Sequence, residues 1–267
     1  MSPAATLAEL LAPLRADPAR CAVLLDVDGT LAPIVRHSQD ATVPEATRTL
    51  LIAVARRYGI VACITGRRAA DARRIVSIGS LAYVGNHGGE LLRPGAMRAE
   101  QDPHVTDWTR RVQAFARQAD TPGLTRLRVR IEDKESISAF HWRGAPDEEA
   151  AHAGVRELAE QAEAAGLATH WGRKVLEVRP PVRLDKGMGV RRLLRDAGAG
   201  CALYAGDDAT DLDAFRALGE LVDEGELEVA VRIGVDSEEG PPEIAQEADA
   251  VVAGPDGVRD LLLSLLD

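Results

Sequence analysis

Short apolar segments recur along the chain, and longer stretches with helical spacing lie between them. Ala22 to Leu25, Ile60 to Ile64, Leu81 to Val84, Ala202 to Ala205 and Val229 to Ile233 are near-continuous apolar runs, the pattern of strands buried on both faces. In TVPEATRTLLIAVARRYG, Leu50, Leu51, Val54 and Ala55 share one helical face, and Gly59 is the predicted stop. Strands alternating with helices predict a parallel sheet covered on both sides. Near the N-terminus Leu7, Leu10, Leu11 and Leu14 form one apolar helical face, while Glu9 falls where the core of a secretory leader would be uncharged. A packed helix is expected there.

The pattern changes in the middle. LRVRIEDK and SISAFHWR alternate with period two and are close enough to pair as a hairpin. A helical stretch near Val105 to Gln118 precedes them; a helix from about Asp147 to Ala165 and two extended pieces, ATHWGRK and VLEVRP, follow. The expected fold class is therefore α/β: a Rossmann-like parallel-sheet core, residues 1–104 and 182–267, with an inserted α+β (αββαββ) cap domain at 105–181. LRPGAMRAEQDPH and RPPVRLDKG carry the Pro and Gly of the expected joints.

Composition narrows the class. An apolar fraction of 46% over 267 residues is enough to fill real cores, and no run approaches the roughly 18 apolar residues of a membrane span. A net charge of −10 repels a phosphate backbone. A soluble cytoplasmic protein, favoured as a monomer, with neither nucleic-acid nor membrane partner is expected, and any anionic ligand must meet a local basic pocket. The three cysteines, Cys21, Cys63 and Cys201, each sit in an apolar run, which reads as thiols packed as small hydrophobes in a reducing compartment.

Four motifs fall where a strand gives way to a loop, the place where open α/β sheets bind ligands. In LLDVDGT, Asp26 and Asp28 leave an extended backbone on the same side, and two carboxylates that close favour a shared cation. The string also opens calcium loops, but no acid stands where that loop needs its later ligands. In CITGR, Thr65 and the backbone around Gly66 and Arg67 can donate to a phosphoryl oxygen; such a pair also makes simple turns. LDKG places Lys186 at the start of a helical run. YAGDDATDLDAF sets Asp207, Asp208 and Asp211 directly after an apolar strand, where a hard cation such as magnesium would offset their repulsion.

Taken in chain order, DxDGT, TGR, DKG and GDDxTD resemble the haloacid dehalogenase superfamily of aspartate-nucleophile phosphatases over nearly the whole chain. The resemblance implies Asp26 as nucleophile, Asp28 as general acid/base, and Thr65 and Lys186 as phosphate stabilisers. It implies Mg2+ held by the Asp26 carboxylate, the Asp28 main-chain carbonyl and Asp207, with Asp208 and Asp211 in support.

The insert lies where this superfamily carries its larger caps, so its polar residues are the specificity candidates: Glu132 and Lys134, His141 and Arg143, Lys174 and Glu177. Strand alternation puts the first two on one face, and likewise His141 with Arg143; an ordinary solvated face is the alternative. GNHGGE, ExK, HxR, GRKVLEVRP, DKG and GDDATDxDAF together resemble the trehalose-6-phosphate phosphatase family. That implies a small sugar-phosphate partner, with Asn86, His87 and the cap residues reading sugar hydroxyls. Val27 and Leu212 depart from that family's habits at positions outside the inferred ligands. Rival readings are a related phosphatase of sucrose, mannosylglycerate or pseudo-disaccharide phosphate, a phospho-accepting receiver domain, and a sugar-sensing pseudo-enzyme. Asp28 speaks against the receiver, because an acid/base two residues from the nucleophile shortens the life of an acyl phosphate.

Overall fold

The computed structural model describes residues 6–35, 40–101, 103–134, 136–182, 184–237 and 240–267. The two stretches expected as joints run through Asp102 and Arg183, which lie outside the described residues. The chain divides into two compact units, Met1–Glu100 with Leu184–Asp267, and Gln101–Arg183.

The first unit opens with α1 (Leu7–Ala16), fixed by a capping box in which Thr6 and Glu9 exchange backbone and side-chain bonds. Glu9 is thus a helix-start device. Next come β1 (Cys21–Leu25), α2 (Glu45–Arg57), β2 (Ile60–Ile64), α3 (Ala69–Val76), β3 (Ala82–Gly85), β4 (Glu90–Leu92) and β5 (Glu100–Gln101), whose second residue opens the second unit. The second unit holds α4 (Pro103–Ala119), α5 (Pro122–Arg126), β6 (Arg130–Asp133), β7 (Ser138–His141), α6 (Glu148–Ala164), β8 (Ala168–Gly172) and β9 (Val175–Arg179). The chain then returns through α7 (Lys186–Ala197), β10 (Cys201–Gly206), α8 (Asp211–Asp223), β11 (Val229–Asp236), α9 (Pro242–Glu247), β12 (Ala250–Ala253) and α10 (Gly254–Ser264).

The large sheet runs β12-β11-β10-β1-β2-β3-β4-β5. Pairings from β12 to β3 are parallel, and β4 pairs antiparallel with β3. Alternation in β1 shows why its segment is apolar throughout. Cys21, Val23 and Leu25 pack with Leu11 and Leu14 of α1, Leu51 and Val54 of α2 and Leu261 of α10. Ala22 and Leu24 pack on the opposite face with Val190 and Leu193 of α7 and Phe215 and Leu218 of α8. A strand with helices on both sides has no polar face to show.

Gly59 lies just past α2, as expected, but for a different reason. It has an ordinary negative φ, and an added Cβ would stand 2.1 Å from the Ala19 carbonyl oxygen. Close approach of two backbones, rather than a left-handed cap, requires glycine there.

In the second unit the sheet order is β6-β7-β9-β8, antiparallel throughout. Ile131, Phe140, Leu176 and Val178 pack with Val155 and Leu158 of α6 and Val112 of α4. The other sheet face therefore carries the polar partners of the alternation, among them Glu132, His141 and Glu177. Beyond the expected order there is one short extra helix, α5.

Candidate active site

Strand order reverses at β1, which has β2 on one side and β10 on the other, and this reversal point is where doubly wound sheets open a crevice. The register pairs Leu25 with Ala205, and the Asp26 N–H donates to the Ala205 carbonyl at 2.9 Å. Asp26 and Asp207 therefore emerge side by side, although they lie 181 positions apart in sequence. Carboxylate oxygens of Asp26, Asp207 and Asp211 all lie within 4.8 Å of one another, and all three residues are buried. Gly29 makes this approach possible: its φ is +84°, and a Cβ there would stand 2.1 Å from Asp207 Oδ2. Thr30 Oγ1 donates to Asp207 Oδ1 at 3.0 Å.

Lys186 is 2% exposed and opens α7, whose cap is Asp185 accepting from the Met188 N–H. Its Nζ donates to Asp26 Oδ1 at 2.8 Å and Asp211 Oδ1 at 2.7 Å, with Asp208 at 3.8 Å. Burial alone would push its pKa down; the charges of Asp211, Asp26 and Asp208 outweigh it and hold the ammonium charged. Asp211 also accepts from Tyr204 Oη at 2.6 Å and from the Asp207 and Asp208 N–H groups, both at 2.9 Å. With both oxygens so engaged, Asp211 is a brace for the loop that presents Asp207. Asp208 turns back on its own loop and accepts from the Thr210 N–H and hydroxyl.

One ammonium does not balance these acids. Burial, then the Asp211 and Asp208 charges, raise the Asp26 pKa well above the ordinary carboxylate range against the opposing pull of Lys186. Asp207 is pushed up to about 6, chiefly by burial and then by Asp211. Two buried carboxyls resisting ionisation, both at one strand-end crevice and both oxygen donors, fit a hard divalent cation.

Thr65, 1% exposed, directly follows β2. Its loop is stitched to the next: the Asn86 N–H donates to the Arg67 carbonyl at 2.8 Å, and the His87 N–H to the Thr65 carbonyl at 3.1 Å. Asn86 and His87 are left-handed, φ +48° and +53°, a conformation costing on the order of 1–3 kcal/mol each that packed surroundings must hold. The His87 ring covers Gly66 so closely that a Cβ there would stand 2.6 Å from Cε1. Arg67 behaves differently from its expected backbone role. Its N–H is spent on Thr65 Oγ1 at 3.1 Å, while its guanidinium grips Asp28 through Nε (2.5 Å) and Nη2 (2.6 Å). Sequence reasoning also passed over Tyr204, Thr30 and Glu90. Glu90 closes the GNHGGE string, is 3% exposed, and accepts from the Ala69 N–H at 2.6 Å, tying that string to the start of α3. The buried acid in an otherwise small-residue motif was the available signal.

In the second unit, Glu132 Oε2 and His141 Nε2 are 2.9 Å apart, and Lys134 Nζ donates to Glu177 Oε1 at 3.0 Å. Arg179, unmarked in the sequence, also holds Glu177 through Nε at 3.0 Å. Glu177 is lowered to about 2: burial opposes, and the Arg179 bond with the Lys134 and Arg179 charges prevails. Burial lowers the His141 pKa, against the opposing Glu132 bond. Arg143 and Lys174 do not join this network. β7 ends at His141, so strand alternation no longer governs Arg143, whose Nη2 donates to the Arg173 carbonyl. Lys174 sits at a left-handed hairpin turn, φ +62°, and its Nζ pairs with Glu148 of α6 at 2.6 Å.

Solved structures share this architecture. A haloacid dehalogenase-like hydrolase from Bacteroides thetaiotaomicron superposes with TM-score 0.61 at 14% identity, covering 91% of this chain and 98% of that one. The Aspergillus fumigatus trehalose-6-phosphate phosphatase superposes with TM-score 0.66 at 25% identity, covering 100% and 99%. Fold and strand-end acids thus define a haloacid dehalogenase-like hydrolase fold with an inserted second unit. A sequence model described as trehalose-phosphatase matches residues 24–247, and the chain belongs to that family. Among curated relatives, a trehalose-phosphate phosphatase of Mycobacterium avium is 35% identical over 206 residues, 74% of this chain and 51% of the relative. A Mycobacterium tuberculosis protein named an uncharacterized glycosyl hydrolase is 36% identical over 208 residues, 74% of this chain and 15% of its own length. The chain spans about half or less of the length of these relatives.

Proposed function

We propose that this protein is a magnesium-dependent phosphoric monoester hydrolase that splits trehalose 6-phosphate into trehalose and phosphate through an aspartyl-phosphate on Asp26. The observation carrying this reading is the buried Lys186 ammonium shared between Asp26 and Asp211, with Asp207 in the same cluster. Lys186 occupies Asp26 Oδ1 and leaves the other oxygen to attack phosphorus. Magnesium held by Asp26, Asp207 and the Asp28 carbonyl would supply the charge that lets these acids stay ionised beside a phosphate. Thr65 and Lys186 meet the phosphoryl oxygens as charge develops. Phosphate and Asp28 compete for the Arg67 guanidinium, both being bidentate acceptors; its release frees Asp28 to take up a proton from solvent and pass it to the leaving sugar oxygen. Asp28 then takes a proton from the water that attacks the acyl phosphate, restoring Asp26 and releasing phosphate.

In this reading Asn86, His87, Glu132, Lys134, His141, Arg143, Lys174 and Glu177 read the sugar, as the family resemblance implies. The net charge of −10 supports a small anionic substrate met in a local pocket over a nucleic-acid partner. In this reading the enzyme works in the cytoplasm as a monomer. Among the described residues, no helix is long and apolar enough to cross a membrane. The test is phosphate release from trehalose 6-phosphate, sucrose 6-phosphate and glucose 6-phosphate, with magnesium and with chelator. Release should be fastest from trehalose 6-phosphate, and be lost in chelator and in Asp26→Asn. Equal rates on all three esters would refute the substrate, and full activity of the variant would refute the nucleophile.

A further inference from the structure

The three cysteines read as separate core thiols, yet two of them meet. Cys21 begins β1 and Cys201 begins β10, and the parallel register sets them directly opposite each other. Both side chains enter the same hydrophobic layer, so their Cβ atoms leave the sheet on the same face. Cys21 is 1% exposed and Cys201 9%. The Cys21 thiol donates to the Asp17 carbonyl at 3.1 Å. Cys63, fully buried in β2, stands opposite Leu25 at the far end of β1.

Neighbouring strands lie about 4.7–4.9 Å apart, and directly opposed residues on one face of a parallel pair hold their Cβ atoms at about that spacing. A disulfide asks for roughly 3.8 Å. The bond is therefore within reach at the cost of drawing two strand ends together by about 1 Å, and a bond formed under such strain is readily reduced. Arg20 places its guanidinium beside Gly200, the neighbour in sequence of Cys201, which is the more exposed of the two residues.

We propose that Cys21 and Cys201 are a reversible modification site, at which a peroxide converts the thiol pair into a cross-strand disulfide that staples β1 to β10. In the first step Cys201 sulfur attacks the peroxide O–O bond, giving a sulfenic acid and one water. The Cys21 thiol then attacks that sulfur, the S–O bond breaks, and a second water leaves. Two thiols are oxidised by two electrons, and one hydrogen peroxide is reduced to two waters. Burial pushes the Cys21 thiol up to about 12, with Cys201 adding to the rise, so the step is slow and needs sustained oxidant. The staple closes a loop from β1 to β10 that contains the whole second unit. Constraining so long a loop restricts the unfolded chain and should raise the thermal midpoint. Asp26 and Asp207 sit at the opposite ends of the same strands, so phosphate release should change little.

The test treats the purified chain with hydrogen peroxide under native conditions, then denatures, alkylates and maps peptides. The expected product has one alkylated cysteine, Cys63, and a peptide pair linking Cys21 to Cys201. Dithiothreitol should restore three alkylated cysteines. Cys63→Ser should form the same link; Cys201→Ser should not. The oxidised protein should melt several degrees higher than the reduced one. Three thiols that stay alkylatable, a link through Cys63 or between two chains, or a Cys201 sulfinic acid without a link would each overturn the site. A linked protein melting no higher than the reduced one would overturn the staple.

Discussion

Lys186→Met tests the electrostatics of the site most fully, because the side-chain volume is kept and only the charge goes. In the wild type the ammonium, 2% exposed, holds Asp26 at 2.8 Å and Asp211 at 2.7 Å. Removing one partner from a buried ion pair leaves uncompensated charge and costs about 3–5 kcal/mol. For a chain of this size that corresponds to a fall in midpoint on the order of 10 °C. The loss should depend on pH in a definite sense. Asp26 and Asp211 already have folded pKa values raised above their unfolded ones, by burial first, and without Lys186 both rise further. Such acids favour the folded state at low pH and lose that contribution as pH rises through their folded values. The deficit of the variant relative to wild type should therefore be largest at pH 8 and shrink toward pH 5. Magnesium, the other cation proposed for the cluster, should restore part of it at pH 8. Urea midpoints of both proteins at the two pH values, with and without magnesium, measure all of this. A deficit under about 1 kcal/mol, or one that grows on acidification, would refute the reasoning.

Other perturbations follow from individual contacts. Gly29→Ala puts a methyl 2.1 Å from Asp207 Oδ2 at a φ of +84°, so phosphate release should fall by about a hundredfold or more, as expected when charged groups at the reacting centre are displaced; near-normal turnover would contradict the packing. Tyr204→Phe deletes the 2.6 Å bond to Asp211 and should cost about 1–3 kcal/mol in urea melts. Glu177 has its folded pKa lowered to about 2 from 4.5. It therefore stabilises the fold by about 3 kcal/mol above pH 4.5, a contribution lost as pH falls toward 2; wild type and Glu177→Gln should converge in stability over that window. Lys134→Ala should raise KM for trehalose 6-phosphate about tenfold or more, the worth of one charged hydrogen bond, while leaving hydrolysis of a small aryl phosphate unchanged.

Much of the fold could be read from the letters because each core strand is apolar along its whole length. β1, β2 and β10 are buried on both faces, so the continuous runs match the strands, at both ends for β2 and to within one residue for β1 and β10. β12 escaped notice: its pattern alternates between half-buried and exposed at the sheet edge, and four residues make a weak signal. β4 and β5 are shorter still. Within the site, the acids were legible because Asp26, Asp207 and Asp211 are costly residues placed directly after apolar strands. Their supporting contacts were not. Tyr204 alternates within β10 as any core aromatic would, and only the fold turns its hydroxyl onto Asp211. The Arg67 grip on Asp28 joins residues 39 positions apart. Cys21 facing Cys201 depends on strand order, which no local pattern encodes. Arg143 shows the converse error, in which alternation was extended past the end of a strand.

The central claim is that Asp26 carries the phosphoryl group during turnover. Rapid acid quench of the magnesium-loaded protein with excess trehalose 6-phosphate, followed by peptide mass mapping, addresses it directly. A phosphoryl group on the peptide containing Asp26, formed and lost at rates compatible with turnover and absent in Asp26→Asn, is the expected result. Full phosphate release by Asp26→Asn, or steady turnover with the phosphoryl group found on another residue, would contradict it.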